Sequence, residues 1–294
     1  MKVADLYKNN TGKPVISFEF FRAKTPKAAE SLEKVLDLLS ATRHDYMSVT
    51  FGAGGSTRDG SYQLIDKLKS ERGIHTVAYI AGVGLGPDDL TTVLDTFKGQ
   101  GIETVFVIQG DEPQEDAAFT AHPEALAHAS DLLSFIKARY DFCLGAAGYP
   151  EGHIRAESLG KDISFAKLKQ DCGAEYLVAQ YFYDNQFFYD YVDKCRAIGV
   201  TIPIIPGIMP IYTLLLLEML TTVCGSSIPE SVRKTLAGIP AEDKEGVVKF
   251  GIDLATRQCR DLLQHGVPGL HFYTMNRGKS VHEIVTRLEK EGLL

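Results

Sequence analysis

Apolar positions along this chain alternate between two kinds of segment. Short, nearly continuous apolar runs occur at Val15–Phe20, Tyr46–Phe51, His75–Ile80, Thr104–Ile108, Cys143–Tyr149, Tyr176–Tyr183, Ile202–Ile208 and Gly269–Met275. Their length suits strands buried on both faces. The stretches between them carry helical spacing: Leu32, Val35, Leu36 and Leu39 recur at i, i+3, i+4 and i+7, the stripe of a helix covering a sheet. Gly73, Gly101, Gly173, Gly199 and Gly266 stand just ahead of the next strand or its lead-in, where a helix needs a left-handed C-cap. Eight strands alternating with helices predict an α/β protein, a (β/α)8 TIM barrel, with a doubly wound open sheet as the alternative. No Pro/Gly/Ser linker or break in composition divides residues 1–294, so a single barrel domain is expected. An extra helical segment is expected between strands seven and eight. It comprises an apolar stretch at Ile211–Val223, a loop holding Pro229 and Pro240, and a helix from Val247 to His265. Within it, Leu214–Leu220 is apolar apart from Glu218, which suits cover for the barrel mouth or a subunit contact.

Unusual polar residues gather at the C-terminal ends of the strands, the functional face of such a barrel. Glu19 ends the first strand between Phe18, Phe20 and Phe21. Apolar neighbours raise a carboxyl pKa and let it donate a proton at neutral pH; a structural ion pair with Arg22 or Lys24 is the competing reading. Asp111 follows strand four in a turn-forming Gly-Asp-Glu-Pro sequence, and Gln180 sits inside the aromatic sixth strand, where its amide needs a partner. Tyr149 and His153 follow strand five, and Asn276-Arg277 follow strand eight. The glycine-rich turns at 52–56 and 82–86 can bring backbone N–H groups close to a ligand. The second lacks the full spacing of a dinucleotide fingerprint, however.

Bulk properties narrow the class. With 31 Lys+Arg against 38 Asp+Glu, the net charge of −7 and the absence of a basic cluster argue against a nucleic-acid surface. No apolar run approaches ~18 residues, so no membrane span is expected. The N-terminal residues lack a signal-peptide core, and the five cysteines are scattered without a Cys-x-x-Cys pair, which together suggest the reducing cytoplasm. No group has metal-ligand spacing, and His271 and His282 read as isolated structural histidines.

Seven segments in barrel order carry a family resemblance: SFEFF (17–21), SVTFGAGGS (48–56), QGDEP (109–113), YPEGH (149–153), AQYFYD (179–184), IPGIMP (205–210) and HFYTMNR (271–277). Together they resemble methylenetetrahydrofolate reductase of the bacterial, single-catalytic-domain type, over Val15 to Leu288. The resemblance implies an FAD-dependent oxidoreductase of one-carbon metabolism and methionine biosynthesis. NADH or NADPH would reduce the flavin, and the hydride would pass to 5,10-methylenetetrahydrofolate to give 5-methyltetrahydrofolate. It implies a homo-oligomer and Glu19 as the acid that protonates N10 so the substrate ring can open. Asp111 would support the resulting cation beside flavin and pterin, Gln180 would contact folate and nicotinamide in turn, and Arg277 would approach the benzoyl-glutamate end. Leu220 aligns with a further substrate contact. For the flavin, the matching positions are Thr50, Phe51, Ala53, Tyr79, Gln109, Gly110, Asp111, His128, Tyr149, His153, Ala156, Asp162 and Lys169, with Lys169 suited to a phosphate and Asp162 to a ribose hydroxyl.

Several positions depart from the family pattern. Arg22-Ala23 replace two prolines after FEFF and place a cation near Glu19. Tyr79-Ile80-Ala81-Gly82 replaces His-Leu-Thr-Cys, Gln109 replaces an arginine, and His128 replaces a tyrosine of bacterial relatives. Leu220 replaces an aromatic residue, forfeiting about 1 kcal/mol of stacking on a planar ligand. These departures leave two alternatives open: a folate-dependent barrel that oxidises 5-methyltetrahydrofolate with altered or lost nicotinamide use, and a protein that only binds folate or flavin.

Overall fold

The computed structural model describes residues 2–9, 12–51, 55–112, 119–240 and 242–294, the side chains of 55–57 excepted. Its framework is a parallel sheet in the order β7-β6-β5-β4-β3-β2-β1-β9-β8. The strands are β1 (Val15–Phe20), β2 (Tyr46–Val49), β3 (Thr76–Ala81), β4 (Thr104–Ile108), β5 (Cys143–Gly148), β6 (Tyr176–Ala179), β7 (Ile204–Ile205), β8 (Gly207–Ile208) and β9 (Gly269–Tyr273). β7 and β8 are the two halves of the expected seventh strand, split at Pro206, which has no N–H to give the ladder. β7 pairs with β6 through Leu177↔Ile204, and β8 pairs with β9 through Gly207↔His271, so the broken strand closes the barrel. The (β/α)8 expectation holds. The seventh strand is shorter than expected and interrupted, and the sixth ends at Ala179, so Gln180 follows the strand instead of lying inside it.

Helices α2 (Pro26–Ser40), α3 (Gly55–Asp66), α4 (Pro87–Gly99), α5 (Ala129–Lys137), α6 (Leu159–Asp171) and α7 (Asn185–Ala197) follow β1 to β6, and α11 (Gly278–Lys290) follows β9. α2 starts where Thr25 Oγ1 accepts the Ala28 N–H and Pro26 fills the first turn; it buries Leu32, Leu36 and Leu39, the expected stripe. All five glycines assigned to helix ends adopt positive φ, from 67° at Gly73 to 113° at Gly173. The short α1 (Val3–Lys8) closes the barrel floor. Its Val3 N–H reaches Thr104 Oγ1 at 3.1 Å, and its Tyr7 hydroxyl meets the Tyr46 hydroxyl at 3.1 Å.

The excursion between β8 and β9 contains α8 (Leu214–Cys224), α9 (Glu230–Ala237) and α10 (Lys244–Gln264). α9 occupies a stretch expected to be loop. Pro229 sets its entry, and Val232 and Leu236 supply a buried i, i+4 pair. The three helices share a second apolar core with Tyr181, Tyr183 and Tyr212. α8 is not buried all round: Leu217 is covered, whereas Leu215, Met219 and Val223 are exposed.

Inside the barrel, large aromatic side chains fill the axis, and a glycine makes room for them. A Cβ on Gly145 would lie 2.4 Å from Tyr176 Cζ and 2.6 Å from Phe106 Cδ2. Both rings are fixed in turn, Phe106 by stacking on Tyr79 at 4.4 Å and Tyr176 by Tyr7 at 5.8 Å. Gly145→Ala is therefore expected to destabilise the fold by about 1–3 kcal/mol through overpacking, read as a lower denaturation midpoint at unchanged slope. A neutral result would mean the aromatic layer can shift.

Candidate active site

Strand alternation decides what Glu19 meets. On β1, Ser17 and Glu19 point into the barrel, whereas Phe18 and Phe20 point outward and are fully buried, with Phe18 against Phe272 and His44. The flanking phenylalanines therefore do not surround the Glu19 carboxyl, as the sequence expectation required. Its neighbours are polar aromatic residues. His271 Nε2 lies 3.7 Å from Glu19 Oε2, and the Tyr79 hydroxyl is directed at the same carboxyl group. Burial first, and the Glu19 charge next, push the Tyr79 phenol well above its ordinary pKa. Among the described residues the Glu19 carboxyl faces His271, whereas Arg22 packs its methylenes against Gly60.

Two strand ends are bolted together around this carboxyl. The Thr274 hydroxyl donates to the Glu19 carbonyl at 2.5 Å, and the Asn276 side chain both accepts from the Phe21 N–H and donates to the Phe21 carbonyl. Met275 and Asn276 adopt φ of 50° and 52°, an unfavourable conformation for non-glycine residues. It turns the chain sharply at the mouth.

A cavity of about 200 Å³ opens at this end of the barrel. Glu19, Asp111 and Gln180 all line it, with Tyr79, Gln109, Gly110, Tyr149 and His153 of the sequence-derived set. Arg155 and Tyr273 line it too and were not anticipated. Asp111 is largely exposed and pairs with Arg155 at 3.1 Å. Gln180 turns its Oε1 onto the Tyr181 N–H at 3.1 Å, leaving its NH2 group for a ligand. Gln109 donates to the Leu126 carbonyl, and its buried Oε1 has no hydrogen-bond partner among the described residues.

Behind Tyr149 lies a charged layer outside the cavity lining. Lys169 Nζ donates to the Ala147 carbonyl at 2.8 Å and sits 5.2 Å from the centre of the Tyr149 ring. Burial lowers the Lys169 pKa, and Asp162 opposes that shift; burial raises the pKa of Asp162 itself. His153 packs edge-on against Tyr149 at 4.7 Å, and burial with the Arg155 and Lys169 charges lowers its pKa. Ala156 closes the same turn, donating its N–H to the His153 carbonyl at 2.8 Å.

The remaining described positions of that set do not line the cavity. The Thr50 N–H donates to the Phe20 carbonyl, and Phe51 is buried against Tyr62 and Phe97. His128 is an exposed N-terminal residue of α5 whose backbone N–H donates to Asp131. Leu220 packs on the second core, and Arg277 lies over the Tyr212 ring at 5.7 Å. Ala53 lies outside the described residues, as does Pro113 of the fourth-strand motif. His282 is structural, bonded to Thr42 Oγ1 at 2.7 Å. Among the described residues no His/Cys/Asp/Glu group could hold a metal ion, and no helix is long and apolar enough to cross a membrane.

Comparison with known proteins places these features in context. A family profile described as methylenetetrahydrofolate reductase matches residues 3–289. The chain is 30% identical over 269 residues to the 5,10-methylenetetrahydrofolate reductase of Escherichia coli K12, covering 92% of this chain and 88% of that protein. It is 34% identical over 301 residues to methylenetetrahydrofolate reductase (NADH) 1 of Arabidopsis thaliana, covering 98% of this chain and 51% of the relative. The chain thus spans about half the length of the plant relatives it matches. Among solved structures, a Clostridium thermocellum protein that binds two copies of 5-methyl-5,6,7,8-tetrahydrofolic acid superposes with a TM-score of 0.70. It is 18% identical and covers 99% of this chain and 98% of its own, a likeness of fold.

The Arg155–Asp111 pair is exposed at both ends, so Arg155→Ala is expected to change folding stability by less than about 0.5 kcal/mol. Chemical denaturation checks this, and a larger loss would make the pair a structural tie for the mouth.

Proposed function

The chain belongs to the methylenetetrahydrofolate reductase family, and on that premise we propose that it reduces 5,10-methylenetetrahydrofolate to 5-methyltetrahydrofolate, with FAD relaying a hydride from NADH or NADPH. The observation that carries this reading is the convergence of Glu19, Asp111 and Gln180 on one cavity at the barrel mouth. FAD, when bound, supplies a two-electron carrier between nicotinamide and folate.

The residues present fit a flavin. Gln109 offers a buried acceptor, unpartnered among the described residues, suited to a ring N–H. Gly110, at φ 77°, keeps the backbone close: a Cβ there would meet Ala81 at 2.9 Å. Tyr149, His153 and Arg155 line the next part of the wall. Lys169 suits a phosphate by charge and Asp162 a ribose hydroxyl; because both lie behind Tyr149, they serve a cofactor that extends past that ring.

Chemistry on the folate falls to the carboxylates. The substrate's five-membered ring must open to a 5-iminium cation before it accepts hydride, and opening requires a proton at N10. Glu19 gives that proton. The Tyr79 hydroxyl then stabilises the carboxylate left behind. Asp111, held by Arg155, places negative charge where the cation develops. The Gln180 NH2 group orients the ring system. The exposed row Leu215, Met219 and Val223 on α8 supports that helix as the contact of a homo-oligomer.

The purified protein is expected to show flavin absorbance that bleaches anaerobically with NADH or NADPH; bleaching with neither would sink the nicotinamide-linked relay. Glu19→Gln is expected to leave flavin reduction intact and abolish reoxidation by the methylene substrate. Equal loss of both half-reactions would assign Glu19 a structural role. Asp111→Asn is expected to slow the folate half-reaction about 100-fold by removing charge stabilisation; unchanged stopped-flow reoxidation would reject that role.

A further inference from the structure

The loops after β5 and β6 both reach the cavity, one with Tyr149 and His153 and the other with Gln180. The last ladder bond between these strands joins the Gln180 N–H to the Gly148 carbonyl at 2.8 Å. Beyond that point a third segment, the turn that ends α8, joins the two loops. Gly225 caps the helix at φ 74°, donating its N–H to the Thr221 carbonyl. It also lets loop residue Ile154 approach closely: a Cβ on Gly225 would lie 2.6 Å from Ile154 Cγ2. The next two residues donate across to the loops. Ser226 Oγ donates to the Tyr181 carbonyl at 2.8 Å. Ser227 donates twice to Glu151 Oε2, from its N–H at 2.9 Å and from its hydroxyl. Leu217 and Ile228, on either side of this turn, are buried in the second core, so the turn stands on a packed base.

We propose that Glu151 is a positioning residue: with Ser226 and Ser227 it forms a clasp through which the end of α8 fixes the spacing of Tyr149 and His153 from Gln180 in the shared cavity. The inference rests on reading Tyr149 and His153 as part of the flavin wall. Adjacent serines hold different loops, and each grips close to a side chain that lines the cavity. Tyr181 follows Gln180, and Glu151 stands midway between Tyr149 and His153. Tyr181 is held at its N–H by Gln180 Oε1 and at its carbonyl by Ser226, so the Gln180 amide keeps its orientation. Within the loop after β5, the Gly152 N–H bonds the Tyr149 carbonyl at 3.0 Å and the Arg155 N–H bonds His153 Nδ1 at 3.1 Å. These bonds shape the turn locally; the Glu151–Ser227 bonds tie it to another element. Both Ser227 donors converge on Oε2, while Oε1 is buried with no partner among the described residues. Leaving that oxygen unpaired costs stability. The two charge-assisted bonds on Oε2 offset that cost and hold the loop in one place.

FAD titrated into the flavin-free protein reads the clasp through the cofactor, and hydrogen exchange at residues 149–155 reads it without any ligand. Glu151→Ala is expected to weaken FAD binding about tenfold and to speed that exchange. Glu151→Gln keeps an acceptor for Ser227 and is expected to bind FAD within about threefold of native. Ser227→Ala is expected to weaken FAD binding about threefold, and adding it to Glu151→Ala to cost nothing more, because both remove one shared interaction. Ser227→Ala also carries the test if Glu151→Ala folds poorly. Ser226→Ala is expected to keep FAD affinity within about twofold and to raise the KM for the methylene substrate about fivefold at unchanged kcat. Native-like FAD binding in Glu151→Ala, equal loss in the Ala and Gln variants, additive losses in the double variant, or a native KM in Ser226→Ala would each overturn the inference. A native chain that takes up no FAD would sink the flavin reading instead. Exchange then decides the clasp alone: faster exchange at 149–155 in Glu151→Ala supports it, and native-like exchange overturns it.

Discussion

The site depends on the parallel register of β1 with β9. Pairing Ser17 with His271 and Glu19 with Tyr273 puts the carboxyl one inward step above the imidazole. Because strand side chains alternate, a slip of one residue would turn Glu19 outward toward the helices and bring Phe18 or Phe20 inside. The register is held where it matters most, at the mouth, by Thr274 on the Glu19 carbonyl and by the two-way Asn276 contact with Phe21. Strain at Met275 and Asn276 is tolerated there because these bonds determine the local geometry. β1 thus acts as a rigid post, and the rest of the cavity is assembled around it.

The broken seventh strand belongs to the same constraint. Pro206 cannot donate, but its carbonyl accepts the His271 N–H at 3.1 Å, so the break keeps β9 aligned while leaving the barrel closed. Gly207 is needed beside it, since a Cβ there would lie 2.1 Å from the Ala179 carbonyl and 2.5 Å from the Tyr273 ring. Closure and placement of the cavity wall are therefore one packing problem. The excursion that follows, α8 to α10, rests on a second core that the loop after β6 shares through Tyr181 and Tyr183.

Much of this was legible in the sequence because it depends on local pattern. Strand positions, the Leu32–Leu39 stripe and the left-handed glycines follow from spacing alone. The convergence of Glu19, Asp111 and Gln180 follows from each standing just beyond or at the end of a strand in a parallel barrel. What failed to read through was geometry across strands. Phe18 and Phe20 look like the surroundings of Glu19 in one dimension, yet parity sends them to the opposite face. His271 looks isolated for the same reason: its partners are Ser17 and Glu19, more than 250 residues away. Parity carries the missing signal, since His271 shares the inward phase of Tyr273 just as Ser17 shares that of Glu19. Pro206 carried a signal for the strand break, and Pro229 one for α9. Arg155 carried none, because an exposed loop cation has no periodicity to report its partner.

Charge around the cavity is distributed unevenly, and this bears on how the departures from the family pattern fit together. Gln109 removes a cation from the end of β4, beside Asp111. Arg155, from the loop after β5, reaches across to the same carboxylate, so positive charge enters from a different strand. Lys169 stands on that side as well, and burial, followed by these two charges, lowers the His153 pKa. The β1 side holds Glu19 and the buried His271, hydrogen-bonded to Ser17. The mouth is thus divided: Arg155 and Lys169 stand on its β5–α6 side, and the carboxyl groups of Glu19 and Asp111 on its β1–β4 side. A chain that kept the family arginine at 109 would place positive charge between those two sides. With an amide at 109, the cation beside Asp111 comes from the loop after β5.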